Sequence, residues 1–387
     1  MKYSELEPRL AAAVRTAFEP GKPSRDFLRP ASVVPLSSVR PGAAPRGAKR
    51  SLVTRAASNI EPRDIDFLWE GRLARGKQTC IGGEPGAGKS TLTIAIIATI
   101  TRGALWPCGE GRAPVGSVII LSAEDDPEDV TVPRLIAAGA DLTKVHIVTS
   151  VAEPDGKRSS FNLQADLALL EQKIDEIGDV VLVIIDPVSS YMCKVDSHKN
   201  AEVRGVLEPI TEMAAHKRVA ILSVTHFSKA GAGGKESALN RFIGSIAFVG
   251  APRAAFAVIA DAELPGRVLL LHAKTNMGRP CQGLAFRLEA VQISGLTREV
   301  ARVSWEGEAV NMTANEALRA GNDSEGSARA EAEQFLYDLL ASGPVPVKEV
   351  EEAAKAHGIT AATLKRARAS VGVKAEKRGI KEWVLRL

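Results

Sequence analysis

The chain has 387 residues, enough for one large domain or for two to three ordinary ones, and its hydrophobic content of 45% suffices to build a core. The formal net charge is only +4, and no run of about 20 apolar residues is present that could cross a membrane. The four cysteines lie far apart without a C-x-x-C pair, which favours buried thiols over a metal site or a disulfide framework. Because the N-terminus also has no apolar signal segment, we expect a soluble cytoplasmic protein.

The first segment, residues 1–57, is basic and rich in proline. Residues 1–60 contain eleven Lys or Arg and four acids, a net charge of +7. Prolines interleaved with Ser, Gly and Ala bury too little apolar surface to order the chain, although residues 3–18 could form a short amphipathic helix. We therefore predict a largely disordered arm that contacts nucleic acid or a partner protein, or that is a solvated tail without a specific role.

The run GEPGAGKST that begins at residue 83 matches the phosphate-binding loop pattern G-x-x-x-x-G-K-[ST] at every fixed position. Its glycines let backbone N–H groups point at phosphate oxygens, and the helix that follows adds its positive N-terminal end. Lys89 is expected to reach the β- and γ-phosphates, Ser90 to place its hydroxyl on Mg²⁺, and Thr91 to open that helix. A predicted strand at residues 78–81 supplies the required context. The predicted nucleotide-binding residues are Gly83, Glu84, Pro85, Gly86, Ala87, Gly88, Lys89, Ser90 and Thr91.

Beyond the loop, short apolar runs alternate with helical patterns. The predicted strands span residues 117–125, 144–150, 179–187 and 218–226. The predicted helices between them span residues 127–139, 163–177 and 201–216. This alternation predicts an α/β core with a mostly parallel sheet and helices on both faces. Further apolar runs without long helices between them predict a β-hairpin extension of the same sheet, at residues 254–261, 267–274, 284–291 and 299–305.

Asp186 closes an apolar strand, the position at which an aspartate holds Mg²⁺, usually through water. An Asp that opens a turn before Pro187 is the alternative. A switch-type GTPase would have a glycine three residues after this Asp, together with an N-K-x-D motif. Ser189 occupies that place and no N-K-x-D motif is present, so ATP is favoured as the nucleotide.

The loop, the segment LSAEDD with Glu124 at a strand tip, the segment IIDPVSSY and the segment THFSK together resemble the RecA-like P-loop ATPases. The resemblance is strongest to the RepA-type hexameric replicative helicases of plasmids and phages, and it covers about residues 58–292. In that family the acid at the tip of the strand beside the loop strand activates water, which implies that Glu124 is the general base. Asp125 and Asp126 flank it as further candidates, and an acidic helix N-terminus is the structural alternative.

The resemblance also assigns a sensor and two DNA-binding loops. His226, at the end of the strand that follows the Asp186 strand, matches the polar sensor that contacts the γ-phosphate. Residues 193–200 match the first DNA-binding loop and residues 228–242 the second, with mobile surface loops as the alternative. The phosphate contacts implied for the second loop are Lys229, Lys235 and Arg241.

Arg253 precedes an apolar strand at the place where RepA-type helicases carry an arginine that reaches the neighbouring subunit's γ-phosphate. Lys274 lies in a segment similar to the K-x-R-x-G end of DnaB-type helicases, but Asn276 stands where that family has its arginine. Arg253 is therefore the better candidate for the arginine finger, with Lys274 as a second catalytic candidate. A solvated charge at a strand end is the alternative for both residues.

The C-terminal part is predicted to be a polar linker, residues 311–328, followed by a winged helix-turn-helix, residues 329–387. Thr360 is expected to cap a helix that carries Lys365, Arg366 and Arg368. From residue 359 onward eight basic residues face two acids, a net charge of +6 that suits contact with nucleic-acid phosphates. Binding of a protein partner is the alternative.

The whole sequence predicts a RecA-like ATPase domain at residues 58–310 within an ATP- and Mg²⁺-dependent DNA motor. The expected assembly is a homo-oligomeric ring, a hexamer, that acts as the replicative helicase of a mobile element. An ATP-dependent DNA-binding regulator or a recombinase-like filament protein shares every motif named above. A nucleotide-gated replication adaptor, which would bind ATP as a switch, is the non-enzymatic alternative.

Overall fold

A computed structural model of the chain describes residues 52, 54–192, 195, 199–228, 237–242, 247–341, 343–378 and 382–386. The chain divides into two compact units, Met1–Arg63 and Asp64–Leu387. In the described part of the first unit, one turn of 3-10 helix spans Ala57–Asn59, and the Arg55 guanidinium donates to the Asn59 carbonyl at 3.0 Å. Most of the predicted basic arm, including its amphipathic helix, lies outside the described residues.

The second unit is of the mixed α/β class. Its strands are, in chain order, β1 (Phe67–Trp69), β2 (Leu73–Ala74), β3 (Gln78–Gly83), β4 (Ser117–Ser122), β5 (Val145–Val148), β6 (Val151–Ala152), β7 (Arg158–Ser159), β8 (Val180–Asp186), β9 (Ala220–His226), β10 (Ala254–Ala260), β11 (Arg267–Thr275), β12 (Leu284–Gln292), β13 (Glu299–Trp305), β14 (Val345–Pro346), β15 (Lys374–Arg378) and β16 (Glu382–Arg386). Its α-helices are α1 (Lys89–Arg102), α2 (Val132–Ala138), α3 (Leu167–Ile177), α4 (Asn200–Lys217), α5 (Ala238–Arg241), α6 (Ala247–Gly250), α7 (Ala314–Leu340), α8 (Val347–Ala356) and α9 (Ala361–Ser370).

A nine-stranded sheet forms the centre of this unit, in the order β13-β12-β11-β10-β3-β9-β8-β4-β5. The strands from β10 to β5 pair in parallel, whereas β10 to β13 form an antiparallel meander at the other end. The predicted mostly parallel sheet with a hairpin extension is thus confirmed. Because the parallel strands run in one direction, their carboxyl ends meet at one edge of the sheet, which is where ligands bind in open α/β folds.

Helices cover the sheet on both faces, as predicted. Along β8, Leu182 and Ile184 join the core on the α1 side, while Val183 and Ile185 join the core on the α4 side. Successive strand residues point to opposite faces, so a strand buried on both sides must be apolar throughout. This requirement explains the unbroken apolar run that precedes Asp186.

The helix after the phosphate loop and the helix before β8 begin at positions that differ from the sequence prediction. The helix after the phosphate loop starts at Lys89 rather than at Thr91, with Gly88 as its left-handed N-cap. α3 starts at Leu167 rather than at residue 163. The intervening residues form a turn in which the Asn162 side chain accepts from the backbone N–H groups of Gln164 and Ala165, an alternative to helical hydrogen bonds.

The segment predicted as a linker is helical for most of its length, because α7 spans Ala314–Leu340. Thr313 and Glu316 form a reciprocal capping box at its N-terminus, which satisfies two backbone donors of the first turn. Ala314 and Ala317 pack into a cluster beneath β10 and β11. The far end of α7 belongs to a separate cluster, so one helix connects the two cores.

That separate cluster contains Leu336, Val350, Leu364 and Leu385, and it is the core of a small C-terminal module. The module runs in the order α7, β14, α8, α9, β15, β16, and its three strands pair antiparallel in the order β14-β16-β15. Among the described ranges, no helix combines the length and the apolar character needed to cross a bilayer.

Candidate nucleotide site

The phosphate loop connects the central strand β3 to α1. Gly86 and Gly88 have φ values of 77° and 86°, in the left-handed region that residues with a side chain rarely adopt, which allows the loop to curl. The Ala87 N–H donates to the Glu84 carbonyl at 3.2 Å and closes the turn. The first backbone N–H groups of α1 have no acceptor earlier in the helix, which makes its N-terminus suited to an anion.

Lys89 is the buried cation of this loop, with a relative exposure of 5%. Its ammonium donates to the carbonyls of Gly83 at 2.9 Å and Glu84 at 2.8 Å. Burial lowers the pKa of Lys89, and the negative charges of Asp186, Glu124 and Glu84 oppose that shift. The ammonium is thus held within the loop by acceptors that phosphate oxygens could replace.

Asp186 ends β8 as predicted, and Ser90 of α1 donates a hydrogen bond to its carboxylate. Burial raises the pKa of Asp186, and the neighbouring acids Asp125 and Glu124 act in the same direction. Burial also raises the pKa of the adjacent Tyr191 to about 12, with a further contribution from Asp186. Sequence reasoning did not identify this tyrosine as part of the site.

A bound Mg²⁺ fits the pair formed by Ser90 and Asp186. In the parts of the chain that the structure describes, no group of three or more His, Cys, Asp or Glu side chains is arranged to hold a metal. Mg²⁺ at nucleotide sites needs no such group, since it takes one or two protein oxygens together with phosphates and water. The Ser90 hydroxyl and the Asp186 carboxylate, already in hydrogen-bond contact, supply those two oxygens.

Glu124 lies in the turn after β4, and one part of its prediction is wrong. β4 is not beside the loop strand: β9 and β10 flank β3, whereas β4 pairs with β8 and β5. Chain order does not determine strand order in a parallel sheet, because crossover connections can skip positions. Glu124 nevertheless reaches the site, since β3 and β4 end at the same edge, and its Oε1 lies 3.7 Å from His226 Nε2.

The two flanking acids have other partners. Asp125 forms an ion pair with Arg134 at 2.7 Å. The Asp126 carboxylate accepts from the backbone N–H groups of Glu128 and Asp129, at 2.8 and 3.2 Å, and so caps the helical turn Pro127–Thr131. Of the three consecutive acids, Glu124 is therefore the one that faces His226 and Lys89.

His226 ends β9, between the loop strand and the Asp186 strand. Its Cα pairs in register with that of Gly83, the last residue of β3. Its Nδ1 is buried and has no hydrogen-bond partner within the described residues, whereas Nε2 faces Glu124. The structure thus brings Lys89, Ser90, Glu124, Asp186 and His226 together at one edge of the sheet.

Arg253 and Lys274 lie at the opposite edge. The backbone N–H of Arg253 donates to the carbonyl of Gln78, the first residue of β3, at 2.8 Å, whereas the phosphate loop follows the last residue of that strand. Five residue steps separate the two ends, about 16 Å of strand. The exposed Arg253 side chain therefore lies at the opposite edge of the sheet from the phosphate loop of its own chain.

Lys274 is hydrogen-bonded to the backbone segment that precedes Arg253. Its ammonium donates to the carbonyls of Val249, Gly250 and Pro252. Burial lowers the pKa of Lys274, and the positive charges of Arg253 and Arg204 add to that effect. This geometry does not present Lys274 as a catalytic group. It makes Lys274 a support for the turn that carries Arg253.

The predicted nucleic-acid contacts fall into three groups. Lys229 and Lys235 lie outside the described residues. Arg241 is buried, with its guanidinium paired to the Glu84 carboxylate, and this burial contradicts its assignment as a DNA contact. The remaining predicted contacts are on α9, where Lys365 and Arg366 are exposed and Arg368 is half-buried.

Comparison with known proteins gives one family match. Residues 43–232 match the family model described as an AAA domain. No curated protein matches the chain in sequence. Among solved structures, the ATPase domain of another protein aligns over 62% of this chain and 86% of that chain, with 11% sequence identity and a TM-score of 0.42. The family match, together with the phosphate loop and its carboxylates, supports an ATPase domain of the P-loop class.

Proposed function

We propose that the chain is an ATP-hydrolysing DNA motor that works as a homo-oligomeric ring, specifically a replicative helicase of the RepA type from a mobile element. The observation that carries this proposal is the convergence of Lys89, Ser90, Asp186, Glu124 and His226 at one sheet edge. A cation, a pair of metal-binding oxygens, a carboxylate base and a polar sensor are the parts that phosphoryl transfer to water requires.

The residues of the loop bind and orient the triphosphate. Lys89 exchanges the Gly83 and Glu84 carbonyls for the β- and γ-phosphate oxygens, while the N-terminal N–H groups of α1 hold the phosphates in place. Ser90 and Asp186 would hold Mg²⁺, which would neutralise charge that develops on the transferred phosphoryl group. Glu124 accepts the proton of the attacking water at its carboxylate. His226 Nε2 lies 3.7 Å from Glu124 Oε1, close enough to respond to a change in the charge of the base.

The position of Arg253 supports hydrolysis at subunit interfaces. Its side chain is exposed at the amino end of β10, at the opposite edge of the sheet from Lys89. A head-to-tail ring joins two different surfaces of neighbouring subunits, and the proposed ring places this edge of one subunit against the phosphate loop of the next. Arg253 then supplies a planar, permanently charged donor to the γ-phosphate of the neighbouring subunit, with its turn held by Lys274.

The C-terminal module is proposed to be a winged helix-turn-helix that binds DNA. The order α7, β14, α8, α9, β15, β16 is the element order of that motif, with α9 as its recognition helix and the β15–β16 hairpin as its wing. Thr360 caps α9 by accepting from the Thr363 N–H at 3.2 Å. Lys365, Arg366 and Arg368 on α9 suit contact with DNA phosphates.

One pair of assays tests this function. ATP hydrolysis is measured with and without single-stranded DNA, and unwinding is measured on a forked duplex. The motor predicts hydrolysis that DNA stimulates, together with unwinding that depends on ATP. Stimulated hydrolysis without unwinding would favour the regulator or filament protein, and negligible hydrolysis despite ATP binding would favour the adaptor.

A further inference from the structure

Arg241 is the most completely enclosed arginine near the nucleotide site, with a side-chain exposure of 7%. One terminal nitrogen of its guanidinium pairs with the carboxylate of Glu84, the second residue of the phosphate loop. Its Nε donates to the Ser228 carbonyl at 3.1 Å. The guanidinium carbon also lies 5.3 Å from the centre of the Phe227 ring, within cation–π range.

The segment that carries Arg241 is fixed to the end of β9. The Ser228 N–H donates to the Arg241 carbonyl at 2.6 Å, and Phe227 and Phe242 form an antiparallel bridge with their rings edge to face at 5.3 Å. Phe242 also packs directly on the loop strand, where a methyl group on Gly82 would come within 2.5 Å of its ring. These contacts leave Arg241 little freedom to move away from Glu84.

The same segment is held from a second side. The N–H of Ala238, the first residue of α5, donates to the Asn315 side-chain oxygen at 2.7 Å. Asn315 belongs to the first turn of α7, whose neighbours Ala314 and Ala317 are buried against the core. α5 is therefore fixed between β9 and α7, and Arg241 extends from this support to the phosphate loop.

We propose that Arg241 is a positioning residue of the nucleotide site, which acts on bound nucleotide through Glu84. A guanidinium removed from water needs an opposite charge, and in the described part of the chain Glu84 is the carboxylate that pairs with it. The pair fixes the Glu84 peptide, whose carbonyl accepts from Lys89. Arg241 thereby sets the loop conformation into which the phosphates bind.

This inference rests on the proposed function, because it assumes that the loop binds nucleotide. A pair that served stability alone would lower the melting temperature when broken and leave the affinity of the folded protein unchanged. A positioning pair alters that affinity, and its two members act through one interaction, so their effects do not add.

The test compares Arg241→Gln, Glu84→Gln and the double variant of the full-length protein, with equilibrium binding of a fluorescent ADP analogue in the presence of Mg²⁺ as the readout. We expect each single variant to bind about tenfold more weakly and the double variant to bind no more weakly than the worse of the two. Arg241→Lys keeps the charge and is expected to recover part of the loss.

Arg72→Gln is the matched control. Arg72 is a buried arginine that pairs with Glu110, and its carbonyl accepts from the Thr79 hydroxyl near the start of β3, whereas the phosphate loop follows the last residue of that strand. This variant is expected to be less stable and to bind the analogue as the wild type does. Circular dichroism at the assay temperature verifies that every variant compared is folded.

Provided that the wild type binds the analogue, two results would overturn the inference. One is wild-type affinity in either folded single variant, and the other is a double variant whose loss is the sum of the two single losses. If the wild type itself bound no nucleotide, the proposed function would fail and this inference with it. If Arg241→Gln did not fold, Glu84→Gln would provide the comparison alone, because unchanged affinity in that variant already contradicts a positioning role.

Discussion

At the scale of single residues, Lys89 serves both the loop and the proposed chemistry. Its ammonium donates to two backbone carbonyls of the loop, and in the proposed function it is also the cation that binds the phosphates. Leaving a buried carbonyl without its donor costs about 1–3 kcal/mol, so part of the effect of any Lys89 variant falls on the loop itself. Nucleotide affinity and hydrolysis therefore need to be measured separately.

We expect Lys89→Ala to reduce ATP hydrolysis about 100-fold or more, because no other basic residue lies in the loop to offset charge on the transferred phosphoryl group. Steady-state hydrolysis at saturating ATP provides the measurement. Lys217→Ala serves as the control, since that lysine pairs with Asp175 on the helical surface and its loss should leave the rate unchanged. Wild-type turnover in Lys89→Ala would refute the assignment of the loop.

Glu124→Gln is expected to lower kcat by about 100-fold to 10,000-fold and to leave ATP affinity close to that of the wild type, because the substitution keeps the shape and removes the base. Asp125→Asn and Asp126→Asn are matched comparisons, since these two acids are engaged by Arg134 and by a helix N-terminus. Their kcat values should stay near that of the wild type. Loss of turnover in Asp125→Asn with survival in Glu124→Gln would transfer the base to Asp125.

His272 gives the protein a pH-dependent stability. Burial, and then the positive charge of Arg72, lower the pKa of His272 below its ordinary value of 6.5. Because the folded pKa is the lower one, the unfolded chain binds more protons as the pH falls below about 6.5, and the free energy of unfolding decreases. The ring packs edge to face on Phe256, so a neutral apolar residue fits the same space.

Denaturant titrations between pH 5 and pH 8 measure this effect. His272→Leu should show a smaller loss of unfolding free energy at low pH than the wild type does. His216→Gln, which alters an exposed histidine near the end of α4, should keep the wild-type pH dependence. Identical pH profiles for wild type and His272→Leu would refute the role of His272.

At the scale of elements, α7 links the ATPase core to the C-terminal module, and the two can be tested separately. Its first turn packs on the ATPase core, whereas its last turns belong to the C-terminal module. Deletion of residues 325–387 leaves that first turn and its capping box in place. We therefore expect basal ATP hydrolysis to survive the deletion while DNA binding weakens, most strongly at low salt, because the proposed contacts of the module with DNA are mainly electrostatic.

A salt titration of DNA affinity measures the contribution of the module. The slope of log affinity against log salt should become shallower by about 0.9 for each duplex phosphate that the module neutralises in the full-length protein. An unchanged affinity and slope in the truncated protein would indicate that the module binds a protein partner. Loss of basal hydrolysis would show instead that the module is required by the ATPase core.

Some elements of the fold were predictable from the sequence, and others were not. The phosphate loop and the apolar strand before Asp186 were predictable, since both are encoded by adjacent residues. The insertion of β9 between the loop strand and the Asp186 strand was not, because strand order depends on crossover connections. The helical linker was missed because its Gly, Asn and Ser residues suggested a loop, whereas the capping box and the packing at both ends stabilise α7.

Long-range pairs account for the remaining errors. Glu84 and Arg241 are 157 residues apart, and the predicted DNA-contact role of Arg241 relied on a loop that is basic in sequence. The sequence alone does not show which of the three consecutive acids from Glu124 to Asp126 faces the site, and their partners in the fold differ. The partner of each charged side chain depends on tertiary contacts, which the sequence does not show.

At the scale of the whole molecule, the proposed activity depends on assembly. Arg253 cannot reach the phosphate loop of its own chain, because the length of β3 separates them. Hydrolysis is therefore expected to be a property of the interface, and the specific rate should rise with protein concentration until the ring has formed. A rate per subunit that stays constant from the monomer to the assembled protein would contradict this expectation.

The most direct measurement mixes two inactive variants. Arg253→Ala subunits keep the phosphate loop and lack the finger, whereas Lys89→Ala subunits lack the loop lysine and keep the finger. In an equal mixture that co-assembles, about a quarter of the head-to-tail interfaces combine an intact loop with an intact finger, so we expect hydrolysis to recover to about that fraction of the wild-type rate. Mixtures shown to co-assemble that recover no activity would contradict hydrolysis in trans and, with it, the ring mechanism.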